Sequence, residues 1–367
     1  MFGLSKKLAL FGPGLLYAGA AVGVSHLVQS TRAGAGFGFQ LLWIIVLVNL
    51  IKYPIFQTGP RYAAATGTSL LDGYRKLGSW AVWVFVLMNL FTMFVIMAAI
   101  SIVTAGLFSQ FASIALDARF VAVGLLVVSM FILGFGQYTL LDKFMKWIVV
   151  TLTASTLVAV VVAFGNPSEK LAEFSTQFDF SNSDNLLFLV ALIGWMPAPI
   201  DISIWHSLWS VSKMKEQREP IPLKVALQDF NVGYWGTTFL ALGFLALGAL
   251  VMYGTDQKLS SGSVEFASQL IGMYTTNIGQ WAFPLIALAA FTTMFSTLLT
   301  CLDAFPRTLR RATTLIFPNT EHRKYHKNIY WIWIISTVIG TSVILLYFLS
   351  SMKEMVDLAT TISFVIA

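Results

Sequence analysis

The sequence predicts an all-α polytopic membrane protein with about ten spans, two of them interrupted and the last incomplete, and three observations carry that prediction. Hydrophobic residues make up 57% of the 367 and charged residues only 11%, whereas a soluble domain carries roughly 25% charged residues. With a mean hydropathy of +0.77, the chain lacks the charge to cover a water-facing surface, so lipid must cover much of it. Apolar runs recur at spanning length, which is roughly 20 residues for a helix. Basic residues gather on alternate loops, as the positive-inside rule requires.

The first run follows Lys6-Lys7 and ends near Ala18-Gly19-Ala20, which mimics a signal peptide. Further apolar segments follow it, so residues 8–30 are read as span one. The next spans are 39–56, 80–108, 120–135, 147–164, 186–211, 234–253, 281–302 and 329–349, with a tenth beginning near Leu358. The chain stops within that tenth run, and the natural protein is expected to continue. With the N-terminus in the cytoplasm, 17 of the 23 basic residues fall on the cytoplasmic side, which fixes the orientation. The net charge of +6 is therefore a topology signal and gives no reason to expect nucleic acid. The outer loop 166–185 is acidic, with Glu169, Glu173, Asp179 and Asp184. Cys301 is the one cysteine, so no disulfide framework or thiolate metal cluster is available.

Two spans carry breaks. Span one reads Gly19-Ala20-Ala21-Val22-Gly23-Val24-Ser25-His26, and span six reads Gly194-Trp195-Met196-Pro197-Ala198-Pro199-Ile200-Asp201. Two prolines at i and i+2 remove two helical donors and clash with the preceding turn. Freed backbone at membrane depth is tolerated only inside protein or against a wet cavity. Matched interruptions are the best sequence pointer to a transporter binding site, with ordinary kinks packed on small residues as the plain alternative.

The rare polar groups cluster at these breaks. Asp201 is the one carboxylate deep in a span, and an ionisable group there costs roughly 2.5–3.5 kcal/mol on insertion scales, so it is expected to have a partner or a task. His26 and His206 lie just past the two breaks, whereas His322 and His326 sit in a basic loop and are read as solvated. Asp201 and His206 are five residues apart, about 140° around a helix, so they do not share a face. Asp201 is paired instead with His26 across the two breaks. An acid oxygen, an imidazole nitrogen and freed carbonyls suit Mn²⁺, Fe²⁺ or Zn²⁺. Asp201 as a cap on the second half of span six and His26 as an interhelical bond are the structural alternatives. His206 is a candidate proton relay, because histidine titrates near neutrality. Lys52 either snorkels to the cytoplasm or stands in for a coupling cation. Asp303 and Arg307 have the spacing of a helical ion pair. Thr292, Thr293, Ser296, Thr297 and Thr300 form a polar stripe, and Trp205 and Trp209 fit an interface belt, with Trp195 nearer the break. No enzyme signature is present: no Gly-x-Ser-x-Gly elbow, phosphate-binding glycine loop or His-Glu-x-x-His. No cofactor is implied.

The chain also resembles a known family, the natural resistance-associated macrophage protein (NRAMP) divalent-metal transporters. Gly12-Pro13-Gly14-Leu15-Leu16, Ala33-Gly34-Ala35-Gly36-Phe37-Gly38 with Leu41-Leu42-Trp43, and Ala65-Thr66-Gly67-Thr68-Ser69-Leu70 are similar to its first spans and loops. Tyr138-Thr139-Leu140-Leu141-Asp142-Lys143, His206-Ser207, and Gly279-Gln280-Trp281-Ala282 with Ser296-Thr297 continue the likeness in order. The resemblance implies a broken-helix, inverted-repeat (LeuT-like) fold. Residues 1–165 would form one five-span repeat, 186–367 a second, incomplete at span ten, and 166–185 an outer connecting loop.

The departures fall on the metal site. Where the family coordinates metal through Asp-Pro-Gly-Asn, this chain has Gly23-Val24-Ser25-His26. Its Met-Pro-His becomes Pro199-Ile200-Asp201, with Met196-Pro197 as a competing match, and the acidic groups of span three have no counterpart in 88–102. The expectation is a relocated site with substrate-binding residues Gly23, Ser25, His26, Met196, Pro199 and Asp201, metal ligands His26 and Asp201, and His206 or Lys52 as a proton or coupling relay. The expected activity is secondary transport of a divalent cation across the plasma (inner) membrane by alternating access. A carrier of a small, amino-acid-like organic solute and a non-transporting sensor or partner subunit are the rivals.

Overall fold

The computed structural model describes residues 12–134, 138–165, 178–255, 259–320 and 323–366. Lys6, Lys7, Glu169, Lys170, Glu173, Lys258 and His322 lie outside the described residues. So do the side chains of Lys143, Lys146 and His326.

Every regular element among the described residues is helical. Span one is built from α1 (Pro13–Ala21), a π-helical turn (Ser25–Ser30) and α2 (Thr31–Phe37). Span two is α3 (Leu42–Thr66), followed by a short helix α4 (Leu70–Leu77). Spans three, four and five are α5 (Ser79–Ala112), α6 (Ala118–Gly134) and α7 (Tyr138–Gly165). Span six is α8 (Ser183–Gly194) and α9 (Asp201–Gln217), and span seven is α10 (Leu223–Val251). Then come α11 (Ser263–Ile278), span eight as α12 (Phe283–Ile316), and span nine as α13 (Arg323–Val343) with a π-helical end, Ile344–Phe348. Span ten is α14 (Met352–Ile366).

Among the described residues, five helices are long and apolar enough to cross a bilayer uninterrupted: α3, α5, α10, the Gln280–Ile316 segment and the Lys327–Phe348 segment. Their outer faces show Trp43, Ile51, Phe91, Phe239 and Phe348 at more than half their full exposure, an apolar belt that hydrocarbon covers favourably.

Three features depart from the sequence reading. Helix α4 starts at a capping box, with Ser69 and Asp72 exchanging bonds across the first turn. Helix α11 fills the loop between spans seven and eight and packs on α5, α7 and α12. Span ten begins at Met352, six residues before Leu358, because Lys353, Glu354 and Asp357 interrupt its apolar start.

Small residues set the close packing around the breaks. Span seven runs along both halves of span one. A Cβ on Gly233 would lie 2.2 Å from the Gly14 carbonyl oxygen, and one on Gly248 would lie 2.4 Å from that of Thr31. Span two grips span six in the same way: a Cβ on Gly59 would lie 2.1 Å from the Ser203 carbonyl oxygen.

Candidate transport site at the two helix breaks

Both predicted breaks are present. Helix α1 stops at Ala21, Val22 leaves helical geometry (φ −75°, ψ 82°), and the chain resumes as a π-turn at Ser25. In span six, α8 stops at Gly194 and α9 starts at Asp201. Pro197 and Pro199 occupy the gap, where neither can donate to a helix.

The freed backbone is satisfied by protein. The Thr297 hydroxyl of α12 lies 3.0 Å from the Gly19 carbonyl oxygen and 3.1 Å from that of Val22. Gly23 accommodates this contact, since a Cβ there would lie 2.9 Å from the Thr297 methyl carbon. The two breaks also touch, with Ser25 Oγ 3.3 Å from the Pro197 carbonyl oxygen. Between them lies a small cavity of about 20 Å³, lined by Gly23, Val24, Ser25, Trp195, Pro199, Ile202, Trp205, Thr297 and Cys301, with Ile96 and Ile100 as the wall from span three. That space holds roughly one water-sized guest.

A second cavity, of about 320 Å³, lies on the other side of the start of α9. Asp201 lines it with Thr58, Tyr74, Trp80, Phe85 and Ser203. Asp201 is only 8% exposed, and its carboxylate makes no hydrogen bond or ion pair among the described residues. The segment Pro199–Ile202 therefore forms a wall between the cavities, with Pro199 and Ile202 facing the inner one and Ile200 and Asp201 the outer.

The structure gathers some of the predicted residues and separates others. Gly23, Ser25 and Pro199 line the inner cavity. His26 does not, and its pairing with Asp201 is absent. His26 Nε2 lies 3.0 Å from the Thr237 carbonyl oxygen, and Nδ1 lies 2.7 Å from Ser25 Oγ. A carbonyl can only accept, so Nε2 donates, and Nδ1 faces the Ser25 hydroxyl, whose oxygen also lies 2.9 Å from the Ala21 carbonyl oxygen; both ring nitrogens are therefore engaged by protein atoms and neither lines the cavity. Met196 is buried in an apolar group with Leu41, Ile45, Val48 and Leu192, away from the cavity. Among the described residues, no group of three or more His, Cys, Asp or Glu side chains is placed to hold a metal.

The structure corrects some of the other expectations and bears out one. Asp201 caps nothing; it is the first residue of α9, whose N-cap position is Ile200. Lys52 does not snorkel but donates to the carbonyl oxygens of Ile193, at 2.7 Å, and Gly194, at 3.2 Å. His206 sits among Tyr17 and Phe230 rings, with Nδ1 3.3 Å from Ser210 Oγ. Trp205 and Trp209 are buried and belong to no interface belt. Asp303 and Arg307 form the expected ion pair, at 2.7 Å, with Tyr330 donating to the same carboxylate. Cys301 and the wall Ile96–Ile100 are additions that sequence reading missed. The four-residue step from Thr297 to Cys301 puts both on one face of α12.

Comparison with known proteins follows from this geometry. Residues 14–367 match the model of the family described as natural resistance-associated macrophage protein-like. An uncharacterized protein of Pasteurella multocida is 38% identical over 363 residues, covering 98% of this chain and 82% of the relative. Solved structures share the fold. A manganese transporter of Eremococcus coleocola superposes with a TM-score of 0.64 at 15% identity, over 98% of this chain and 76% of that one. The nucleobase-cation-symport-1 family transporter Mhp1 gives 0.62 at 13% identity, over 95% and 74%.

Proposed function

The chain belongs to the natural resistance-associated macrophage protein-like family, and on that premise we propose that it is a secondary transporter carrying a divalent metal cation across a membrane by alternating access, through an altered site. The observation that supports this most directly is the meeting of the two breaks beside a small cavity, with the Asp201 carboxylate, which has no partner among the described residues, facing the larger cavity on the far side of the Pro199–Ile202 wall. Residues 1–165 and 186–367 act as the two repeats, and their broken first spans carry the cargo between them. The membrane is the plasma membrane, with the N-terminus in the cytoplasm.

The metal site differs from the expected one. Asp201 supplies the charge, and Thr58, Ser203 and Tyr74 line its cavity with hydroxyl oxygen. Oxygen donors suit hard cations such as Mg²⁺ or Mn²⁺ better than soft ones. The inner cavity then passes the ion between neutral groups, Ser25 and Thr297 among them. The proton and the metal compete for the same carboxylate, so affinity rises with pH.

Proteoliposome uptake of Mn²⁺, Mg²⁺ and Zn²⁺ tests this. Wild type accumulates at least one of them, and Asp201→Asn reduces uptake by about tenfold or more, the scale of one lost charge-assisted contact. Equal uptake by both proteins rejects the role of Asp201. One observation favours the organic-solute reading: the indole Nε1 of Trp205, a cavity-lining residue, is buried with no partner among the described residues, and a donor suits a carboxylate better than a cation. Thermal stabilisation by an amino acid or organic acid, without metal, would select that reading.

A further inference from the structure

We infer that the Lys52 ammonium fills a cation site made by the backbone carbonyls of Ile193 and Gly194, and that Lys52 is a positioning residue holding the first half of broken span six against span two. The inference stands whichever cargo the protein carries.

The last four carbonyls of a helix have no partner within it, and that end carries partial negative charge. Helix α8 ends at Gly194 because the prolines beyond it cannot continue the ladder. Its carbonyl oxygens at Ile193 and Gly194 are where Lys52 Nζ is found, at 2.7 and 3.2 Å. Lys52 is 8% exposed and forms no ion pair among the described residues. Its charge is therefore balanced by backbone dipoles and not by an acid. An ammonium in such surroundings binds the way a small monovalent cation does, through oxygen donors alone.

Span two carries this group on a continuous helix of 25 residues. Seven residues further along, two turns and about 10.5 Å of rise, Gly59 meets the backbone of Ser203 on α9. There Thr58 Oγ1 also lies 3.2 Å from Ser203 Oγ. One helix, continuous through Pro54, thus grips span six on both sides of its gap. The inner grip is a backbone contact that no substitution can easily reproduce, whereas the outer grip is a tethered cation. Shortening the side chain to alanine itself vacates the space of three methylenes and an ammonium, whereas the groove beside it, lined by Trp43, Leu47, Ile51 and Ile193, is apolar and belongs to the lipid-facing surface.

Cys301 reports on the grip, because it is the one cysteine and lines the cavity between the breaks. The full chain is reconstituted in nanodiscs, and modification of Cys301 by a small methanethiosulfonate is timed in wild type, Lys52→Ala, Lys52→Met and Lys52→Arg. Lys52→Ala and Lys52→Met are expected to react about tenfold faster than wild type, the effect of one charge-assisted bond. Lys52→Arg stays near wild type. n-Propylammonium, which replaces the deleted atoms, slows Lys52→Ala back to within about twofold of wild type. Tetramethylammonium does not, because it has no N–H to donate. Lys52→Met fills the space with an apolar side chain and is expected to be unresponsive to either. A wild-type rate in Lys52→Met would overturn the inference, as would equal effects of the two ammonium ions on Lys52→Ala. Lys52→Met keeps the volume of the side chain, so the test survives if the alanine variant fails to fold.

Discussion

Thr297 carries more of the site than its neighbours in the polar stripe. Thr292 and Thr293 bond only to their own helix among the described residues, while Thr297, itself 3.2 Å from the Thr293 carbonyl oxygen, also reaches across to the carbonyls freed at the break in span one. Thr297→Val keeps the shape and removes the hydroxyl, leaving buried carbonyls unpaired at a cost of about 1–3 kcal/mol. Thermal unfolding in detergent should show a lower transition for Thr297→Val and a smaller change for Thr297→Ser. Gly23→Ala tests the same contact from the other side. Its new Cβ would lie 2.9 Å from the Thr297 methyl carbon, so Gly23→Ala is destabilising, and adding Thr297→Ser, which removes that methyl, restores part of the loss. Full additivity of the two changes would show that they do not share this contact. Glycine at the break was legible in the sequence as a helix interruption. The partner that makes it necessary was not, because it comes from a residue 274 positions away.

Helices α10 and α3 act as splints. Each runs unbroken beside a broken span and touches both of its halves, α10 through Gly233 and Gly248 and α3 through Lys52 and Gly59. Asp229 of α10 adds a charged cap to α1, accepting from the amides of Gly12 at 3.2 Å and Gly14 at 2.7 Å. Gly233→Ala would place a Cβ 2.2 Å from the Gly14 carbonyl oxygen. Overpacking of this kind costs about 1–3 kcal/mol or more, so a markedly lower thermal transition than for Gly236→Ala is expected; a Cβ on Gly236 meets nothing within 4 Å. Element existence was legible because lipid imposes a length and a hydropathy on each span. Helices α4 and α11 escaped notice because neither has to cross the hydrocarbon, and the start of span ten because three charged residues lie in its first turns. The breaks were legible from proline and glycine alone. The fate of His26 was not: an imidazole beside a break reads as a ligand until the Ser25 hydroxyl and the Thr237 carbonyl are seen to occupy both of its nitrogens.

At the scale of the whole molecule, two interhelical ion pairs, neither of which lines the small inner cavity, are expected to hold it shut from opposite ends. Near one end, Arg32 of α2 forms a two-pronged bond to Asp357 of α14, at 2.6 and 3.1 Å, steadied by Gln29. Near the other, Arg311 of α12 pairs with Asp72 of α4, which also accepts from the Ser69 hydroxyl and amide. Burial alone would raise the Asp72 carboxyl, but Arg311 and Ser69 outweigh it and hold it below its usual value. A lowered acid contributes stability that is complete above its unfolded value, about 3.9, and is lost as pH falls through the folded value beneath that. The Asp72 latch therefore stays shut across neutral pH, and opening it there requires mutation. Both pairs are partly exposed, so each is worth about 1 kcal/mol or less. Releasing one should raise Cys301 reactivity about twofold to fivefold, and from one face only. With a membrane-impermeant thiol reagent on sealed proteoliposomes, Arg311→Gln should speed modification from the face that bears residues 213–224, and Arg32→Gln from the opposite face. If the two variants open the same face, or if either opens both, the contacts are not separate latches, and closure of the cavity must come from the apolar packing of spans one and six instead.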